Sequence, residues 1–157
     1  MKNQRCCFTG HRPDKMELGE KNIKPLLEKA IDEAISDGYK TFISGMAMGT
    51  DIWAAEIVLE RKKQHKDLHL ICAMPHPNFE KRRSIKEKIR FQQIIKKADL
   101  VKEINQNYFI GCYQVRNQWM VDHSSLVIAV FTGEKGGTNN TIAYAKRKEI
   151  LVKNVLE

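Results

Sequence analysis

Two short glycine-bearing stretches carry residue types suited to holding phosphate. Ser44-Gly45-Met46-Ala47-Met48-Gly49-Thr50-Asp51 and Gly136-Gly137-Thr138 each follow a β-branched apolar run, and each opens a run of helical character. Glycine lets the backbone come close to a ligand, and the first N–H groups of a helix point forward with the positive end of the macrodipole behind them. A phosphate group is the natural occupant. A third turn, Thr9-Gly10-His11-Arg12-Pro13, follows Cys6-Cys7-Phe8 and adds a fixed cation. These turns point to a protein that holds a phosphorylated small molecule, most simply a nucleotide.

Individual residues within these turns have more than one reading. Gly45 and Gly49 serve either phosphate contact or the strand-to-helix turn itself. Asp51 either favours the first turn of a helix or accepts hydrogen bonds from a ribose or base. Thr138 caps a helix and offers a hydroxyl to a phosphate oxygen. His11 and Arg12, a polar pair at the end of an apolar run, have little packing reason to be there and are assigned to the ligand. His76 lies between Pro75 and Pro77 at another strand end. Glu56 and Asp122 are carboxylates available for general acid or base work. Trp53, Trp119 and Tyr144 read as core residues rather than stacking platforms. The histidines at 11, 65, 69, 76 and 123 have no metal-site spacing.

The elements that must position these residues follow from apolar periodicity. Arg5 to Thr9 is a short strand. Ile23, Leu27, Ala30, Ile31, Ala34 and Ile35 recur at helical spacing, with Pro25 in the first turn and Gly38 as the stop. Thr41 to Ser44 is a strand, Asp51 to Lys63 a helix and Leu68 to Met74 a strand. A helix is predicted from about Glu80 to Lys97, showing Ile85, Ile89 and Ile94 to the core. Asp99 to Ile104 is a strand, Asn105 to Cys112 is irregular, and Tyr113 to Asp122 is helical. The run from Ser125 to Phe131 is continuously apolar and must be a central strand covered on both faces. Thr138 to Lys148 is a last helix and Ile150 to Val155 a last strand. Strands alternating with helices predict a single Rossmann-like α/β domain over 1–157, with a mainly parallel sheet and helices on both faces. Ligands of such sheets sit at the carboxyl ends of the strands, where all three turns fall.

Composition sets the limits. A chain of 157 residues, 42% hydrophobic and 29% charged, is ordinary for a globular domain and can bury a core without staples. No apolar run approaches the roughly 20 residues that span a bilayer, and the N-terminus has no signal-peptide pattern, so a cytoplasmic location without membrane association is expected. The four cysteines show neither metal-ligand nor redox spacing and are expected to be reduced and buried. The formal net charge of +8 attracts anions. Much of it lies in Lys81, Arg82, Arg83, Lys86, Lys88, Arg90, Lys96 and Lys97. That segment reads either as a solvated helix face or as a nucleic-acid stripe.

The stretch from Ser44 to Glu56 resembles the SGxAxGxDxxA signature of the DNA-processing protein A family. The stretch from Arg116-Asn117-Gln118-Trp119-Met120 to Gly136-Gly137-Thr138 is similar to the RK...M...PGGxGTxxE segment of the Lonely Guy phosphoribohydrolases. Both belong to the SLOG superfamily of Rossmann-like nucleotide-binding folds. With TGHRP and SGMAMGTDIWAAE in one short chain, the sequence looks most like the YpsA-like branch, over nearly its whole length. The resemblance implies that Arg116 corresponds to the hydrolases' active-site arginine. Their glutamate, however, falls here on Ala143, or on Tyr144 with one inserted residue, and neither is a carboxylate. The resemblance therefore supports a pocket formed by Gly10, His11, Arg12, Ser44, Gly45, Gly49, Thr50, Asp51, Arg116, Gly136, Gly137 and Thr138, and weakens hydrolase chemistry. The expected function is binding of a nucleotide-type ligand such as NAD, ADP-ribose or a nucleoside monophosphate, in a sensing or regulatory role. A nucleoside 5'-monophosphate phosphoribohydrolase and a single-stranded DNA binder are the alternatives, nucleic acid being the lesser partner. A homo-oligomer stays open.

Overall fold

A computed structural model describes residues 1–12 and 18–157. The strands are β1 (Arg5–Gly10), β2 (Thr41–Ser44), β3 (His69–Met74), β4 (Leu100–Glu103), β5 (Leu126–Val130) and β6 (Leu151–Asn154). The helices are α1 (Glu20–Ser36), α2 (Thr50–Lys62), α3 (Ile85–Lys97), α4 (Cys112–Asp122) and α5 (Gly137–Arg147). Pro13, the last residue of the first predicted turn, lies outside the described residues.

All neighbouring strands pair in parallel, in the order β4-β3-β2-β1-β5-β6. The chain winds outward from β1 to the β4 edge through α1, α2 and α3. It then returns to place β5 on the other side of β1, in register Cys6 with Leu126 through Gly10 with Val130. The order therefore reverses between β1 and β5, and a crevice opens beyond their carboxyl ends. This is the Rossmann-like α/β architecture predicted from the alternation of strands and helices.

The two-residue period of the strands divides the core into two layers. Cys6, Phe8, Phe42, Leu70, Cys72, Ile128 and Val130 face α1, α2 and α3, with Phe8 and Phe42 stacked at 6.0 Å between ring centroids. Cys7, Ile43, Ala73 and Val127 face α4 and α5, meeting Met120, Val121 and Ala145. Every residue of β5 is buried, as its uninterrupted apolar run requires. All four cysteines are buried and free. Burial pushes the Cys7 and Cys72 thiols up to about 12, which makes them poor nucleophiles.

Three local expectations are corrected. The helix predicted from Glu80 begins only at Ile85, where the Ser84 hydroxyl accepts the Glu87 N–H. Its buried face is set by Phe91 and Ile94, while Ile85 and Ile89 are 79% and 55% exposed. Helix α1 starts at Glu20, so Pro25 lies inside the helix rather than in its first turn. Helix α5 starts at Gly137 with Gly136 in the N-cap position, so Thr138 is a helical residue and not the cap.

The basic segment is also divided. Arg90 is held by Glu56 at 2.6 Å and by Glu20, tying α3 to α2 and α1. Lys81, Arg82 and Arg83 instead belong to the β3–α3 connection and line the crevice. No described helix is long and apolar enough to cross a membrane.

Candidate functional site

The crevice is a cleft of about 1400 Å³ beyond the carboxyl ends of the sheet. Gly10, His11, Arg12, Asp51, Arg116, Gly136, Gly137 and Thr138 line it. Ser44, Gly45, Gly49 and Thr50 do not reach its lining and stand behind it. The fold thus gathers the three sequence turns at one place, but it uses them differently.

The turn after β2 closes on itself. The Ser44 hydroxyl donates to the Asp51 carbonyl at 2.9 Å and accepts the Met46 N–H at 3.1 Å. The Ala47 N–H donates to Asp51 Oδ2 at 3.2 Å. Met46 takes φ of 62° and Gly49 φ of 93°, so the turn runs through left-handed backbone before α2 begins. A Cβ on Gly45 would stand 2.9 Å from both the Arg116 guanidinium and Asp51 Oδ2. A Cβ on Gly10 would stand 2.1 Å from Thr50 Oγ1. These two glycines make room for the protein's own side chains. Only Ala47, Met48 and Asp51 of this turn face the cleft.

Asp51 and Arg116 form the floor. Arg116 is 3% exposed and donates through Nη1 to the Gly45 and Ala73 carbonyls and through Nε to Asn117 Oδ1. Asp51 is the sole carboxylate among the described lining residues. Arg83 enters from the β3–α3 connection, donating to the Met46 carbonyl at 2.7 Å and lying over the rings of Phe79 and Phe91. Its Nη1 has no hydrogen-bond partner among the described residues. Arg12, Lys81, Arg82 and Lys135 stand exposed around the rim. Among the described lining residues, six cationic side chains against one carboxylate give the cleft a positive charge.

Burial pushes the Asp51 carboxyl up from 3.8 to about 6, against the opposing pull of Arg116, the Ala47 N–H and Arg83. The folded protein therefore holds this proton more tightly than the unfolded chain. Its stabilising contribution is complete below pH 3.8 and is lost as pH rises to about 6. At about 1.4 kcal/mol per pH unit, the loss is about 3 kcal/mol. Urea titrations of wild type and Asp51→Asn should show the difference in unfolding free energy moving by that amount toward the variant between about pH 4 and 7. A constant difference over that interval would mean that Asp51 is not desolvated.

At the other side of the cleft lies the N-terminus of α5. Gly136 has φ of 145°, and no side chain caps the helix. An added Cβ on Gly136 or Gly137 would meet no heavy atom of the described residues within 4 Å. Here, unlike at Gly10 and Gly45, the open space belongs to the cleft. Thr138 is 6% exposed, and Arg12 and Lys135 belong to the same lining. His11 is buried and stacks on Phe131 at 5.5 Å.

Sequence reasoning passed over Tyr108 and Tyr113. With His76 and Phe79 they line the cleft, in ring contacts of 5.4 to 6.2 Å about the imidazole. Tyr108 lies in the irregular stretch before α4 and Tyr113 in the first turn of α4, and the aromatic content there was their one sequence clue. The other proposed carboxylates lie elsewhere: Glu56 is paired with Lys24 and Arg90, and Asp122 accepts the Tyr144 hydroxyl on an exposed surface. Ala143 is exposed and outside the cleft lining. Among the described residues no group of His, Cys, Asp or Glu side chains could hold a metal ion.

Solved structures define the class. DNA processing protein A from Helicobacter pylori, described for its single-stranded DNA binding mode, shares the fold with a TM-score of 0.68 at 19% identity, covering 96% of this chain and 64% of that one. DNA processing protein A from Streptococcus pneumoniae gives the same TM-score at 17% identity, covering 96% of this chain and 50% of that one. This chain thus spans between half and two thirds of those proteins and shares their α/β fold. The chain belongs to the YspA SLOG family, whose model matches residues 6–154. A relative in Bacillus subtilis (strain 168), the uncharacterized SPbeta prophage-derived protein YoqJ, is 31% identical over 80% of this chain and 81% of its own length. A UPF0398 protein of Bacillus thuringiensis (strain Al Hakam) is 28% identical over 93% of this chain and 84% of its own length.

Proposed function

We propose that this cleft binds a nucleotide or nucleotide-derived phosphorylated ligand and that the protein acts as a sensor or regulatory binding protein. The observation that carries the reading is the start of α5, where among the described residues Gly136 and Gly137 leave open space in a cleft whose lining also carries Arg12 and Lys135. A phosphate there would accept the first amides of the helix and the Thr138 hydroxyl, with the macrodipole and two cations neutralising its charge. Arg83 and Arg116 keep the adjoining floor positive. Asp51 is placed to accept a ribose hydroxyl. The position matching the hydrolase glutamate carries no carboxylate, which favours binding over cleavage of the glycosidic bond.

Thermal melts against a panel of NAD, ADP-ribose and nucleoside monophosphates test this reading. A ligand selective for the folded state, present at 100 times its dissociation constant, stabilises it by roughly 2.7 kcal/mol and raises the melting temperature. Absence of any shift across the panel would remove the proposal.

The likeness to DNA processing proteins and the exposed Lys81 and Arg82 at the rim favour single-stranded DNA as the second reading. That reading is limited by the division of the basic segment, since Arg90 is already paired and Phe91 is buried. Strand binding should be weak and fall with salt at a log-log slope of about -0.7 per neutralised phosphate. Binding tighter than about 1 μM at physiological salt, abolished by Lys81→Glu with Arg82→Glu, would put the DNA reading first.

A further inference from the structure

We infer that the end of the cleft built by the β3–α3 and β4–α4 connections is a nucleobase subsite, with the Tyr108 ring as its stacking surface and His76 holding that ring from the side. The inference rests on the nucleotide reading above and adds which part of the ligand lies where. His76 is fixed between Pro75 and Pro77, its Nδ1 2.8 Å from the Pro77 carbonyl oxygen. Around it the rings meet edge-on or tilted, Tyr108 at 79° and Tyr113 at 51°. An edge-on contact covers at most one face of one ring in each pair.

The members of this cluster differ in what else they do. Phe79 packs against the core, and Tyr113 lies beneath the Arg116 guanidinium at 5.7 Å. Tyr108 is 64% exposed, belongs to neither core layer and lines the cleft. An aromatic ring held in water on a cleft wall gives a heterocyclic base a flat apolar partner, and such stacking tolerates any base. Gln106 and Asn107 beside it offer amide donors and acceptors to a base edge. At about 1400 Å³ the cleft exceeds the roughly 300–1000 Å³ of common small-molecule pockets. Its lining includes both the α5 N-terminus and this wall.

Calorimetric titration with AMP, GMP, CMP, UMP and ribose 5-phosphate tests the subsite. At least one monophosphate should bind about tenfold more tightly than ribose 5-phosphate, which corresponds to roughly 1.4 kcal/mol. Tyr108→Ala should bring that monophosphate down to the ribose 5-phosphate level and leave ribose 5-phosphate itself unchanged. Tyr108→Phe, which keeps the ring, should retain the preference. Because Tyr108 is exposed, neither variant threatens folding. Equal affinities for all five compounds, or equal losses for both ligand types in Tyr108→Ala, would overturn the base subsite while leaving the phosphate site standing. Binding of none of the five would overturn the base subsite, and silence of NAD and ADP-ribose as well would overturn the nucleotide reading.

Discussion

Replacing Gly137 by Val is expected to leave the protein folded and to lower its affinity for a nucleoside monophosphate by about 100-fold, or roughly 2.8 kcal/mol. Among the described residues an added Cβ at this position meets nothing within 4 Å. Gly137 opens α5, and valine is no worse a helix residue than glycine. The branched side chain is therefore expected to stand in the way of what enters the cleft and sits against the helix amides. Calorimetry and a thermal melt on the same preparation separate the two effects. Undiminished affinity in a folded variant would reduce the Gly136–Thr138 turn to a connection between β5 and α5.

Arg116→Ala should instead be a stability variant, costing about 3–5 kcal/mol. The guanidinium is 3% exposed and donates to the Gly45 and Ala73 carbonyls, and it is the main charge opposing the desolvation of Asp51. Its removal leaves two acceptors without their donor and a buried carboxylate without its compensating charge. Loss of that charge raises the Asp51 carboxyl further, so the destabilisation should be larger at pH 8 than at pH 5, where the carboxyl takes up a proton. Adding Asp51→Asn should recover part of the loss. Denaturant titrations of the two single variants and the double variant at both pH values measure this. Arg12, exposed at the rim, provides the contrast: Arg12→Ala should stay within about 0.5 kcal/mol of wild type in stability. A loss below 1 kcal/mol for Arg116→Ala would show the arginine to be free for the ligand rather than held by the floor.

The legibility of the fold followed how local each cause was. The apolar run through Leu126–Val130 announces a central strand because nothing else can bury five consecutive apolar residues on both faces. Helix phase was less secure. Counting Ile85, Ile89 and Ile94 as one stripe ignored Phe91, and the irregular segment before Ser84 delays the helix and turns its face. At α5 the glycine turn was visible, but the positive φ of Gly136 puts the cap two residues ahead of Thr138.

Within the site, residue types were legible and their contacts were not. Gly10 and Gly45 read as places for phosphate, yet what stands opposite them is Thr50 in one case and Arg116 with Asp51 in the other. Those neighbours are brought in by the pairing of β1 with β2 and by α4 crossing behind β3, which no local pattern encodes. Tyr108 and Tyr113 escaped notice for the same reason. They meet His76 only because β3 and β4 are neighbours in the sheet and send their following loops to one side.

Amide chemical shifts during a titration with the tightest-binding monophosphate place the phosphate most directly. Saturation should move the Gly137 and Thr138 amides most, with smaller changes at Arg12 and none at the far end of α3 around Lys97. Saturable binding that leaves Gly137 and Thr138 unmoved would contradict the account.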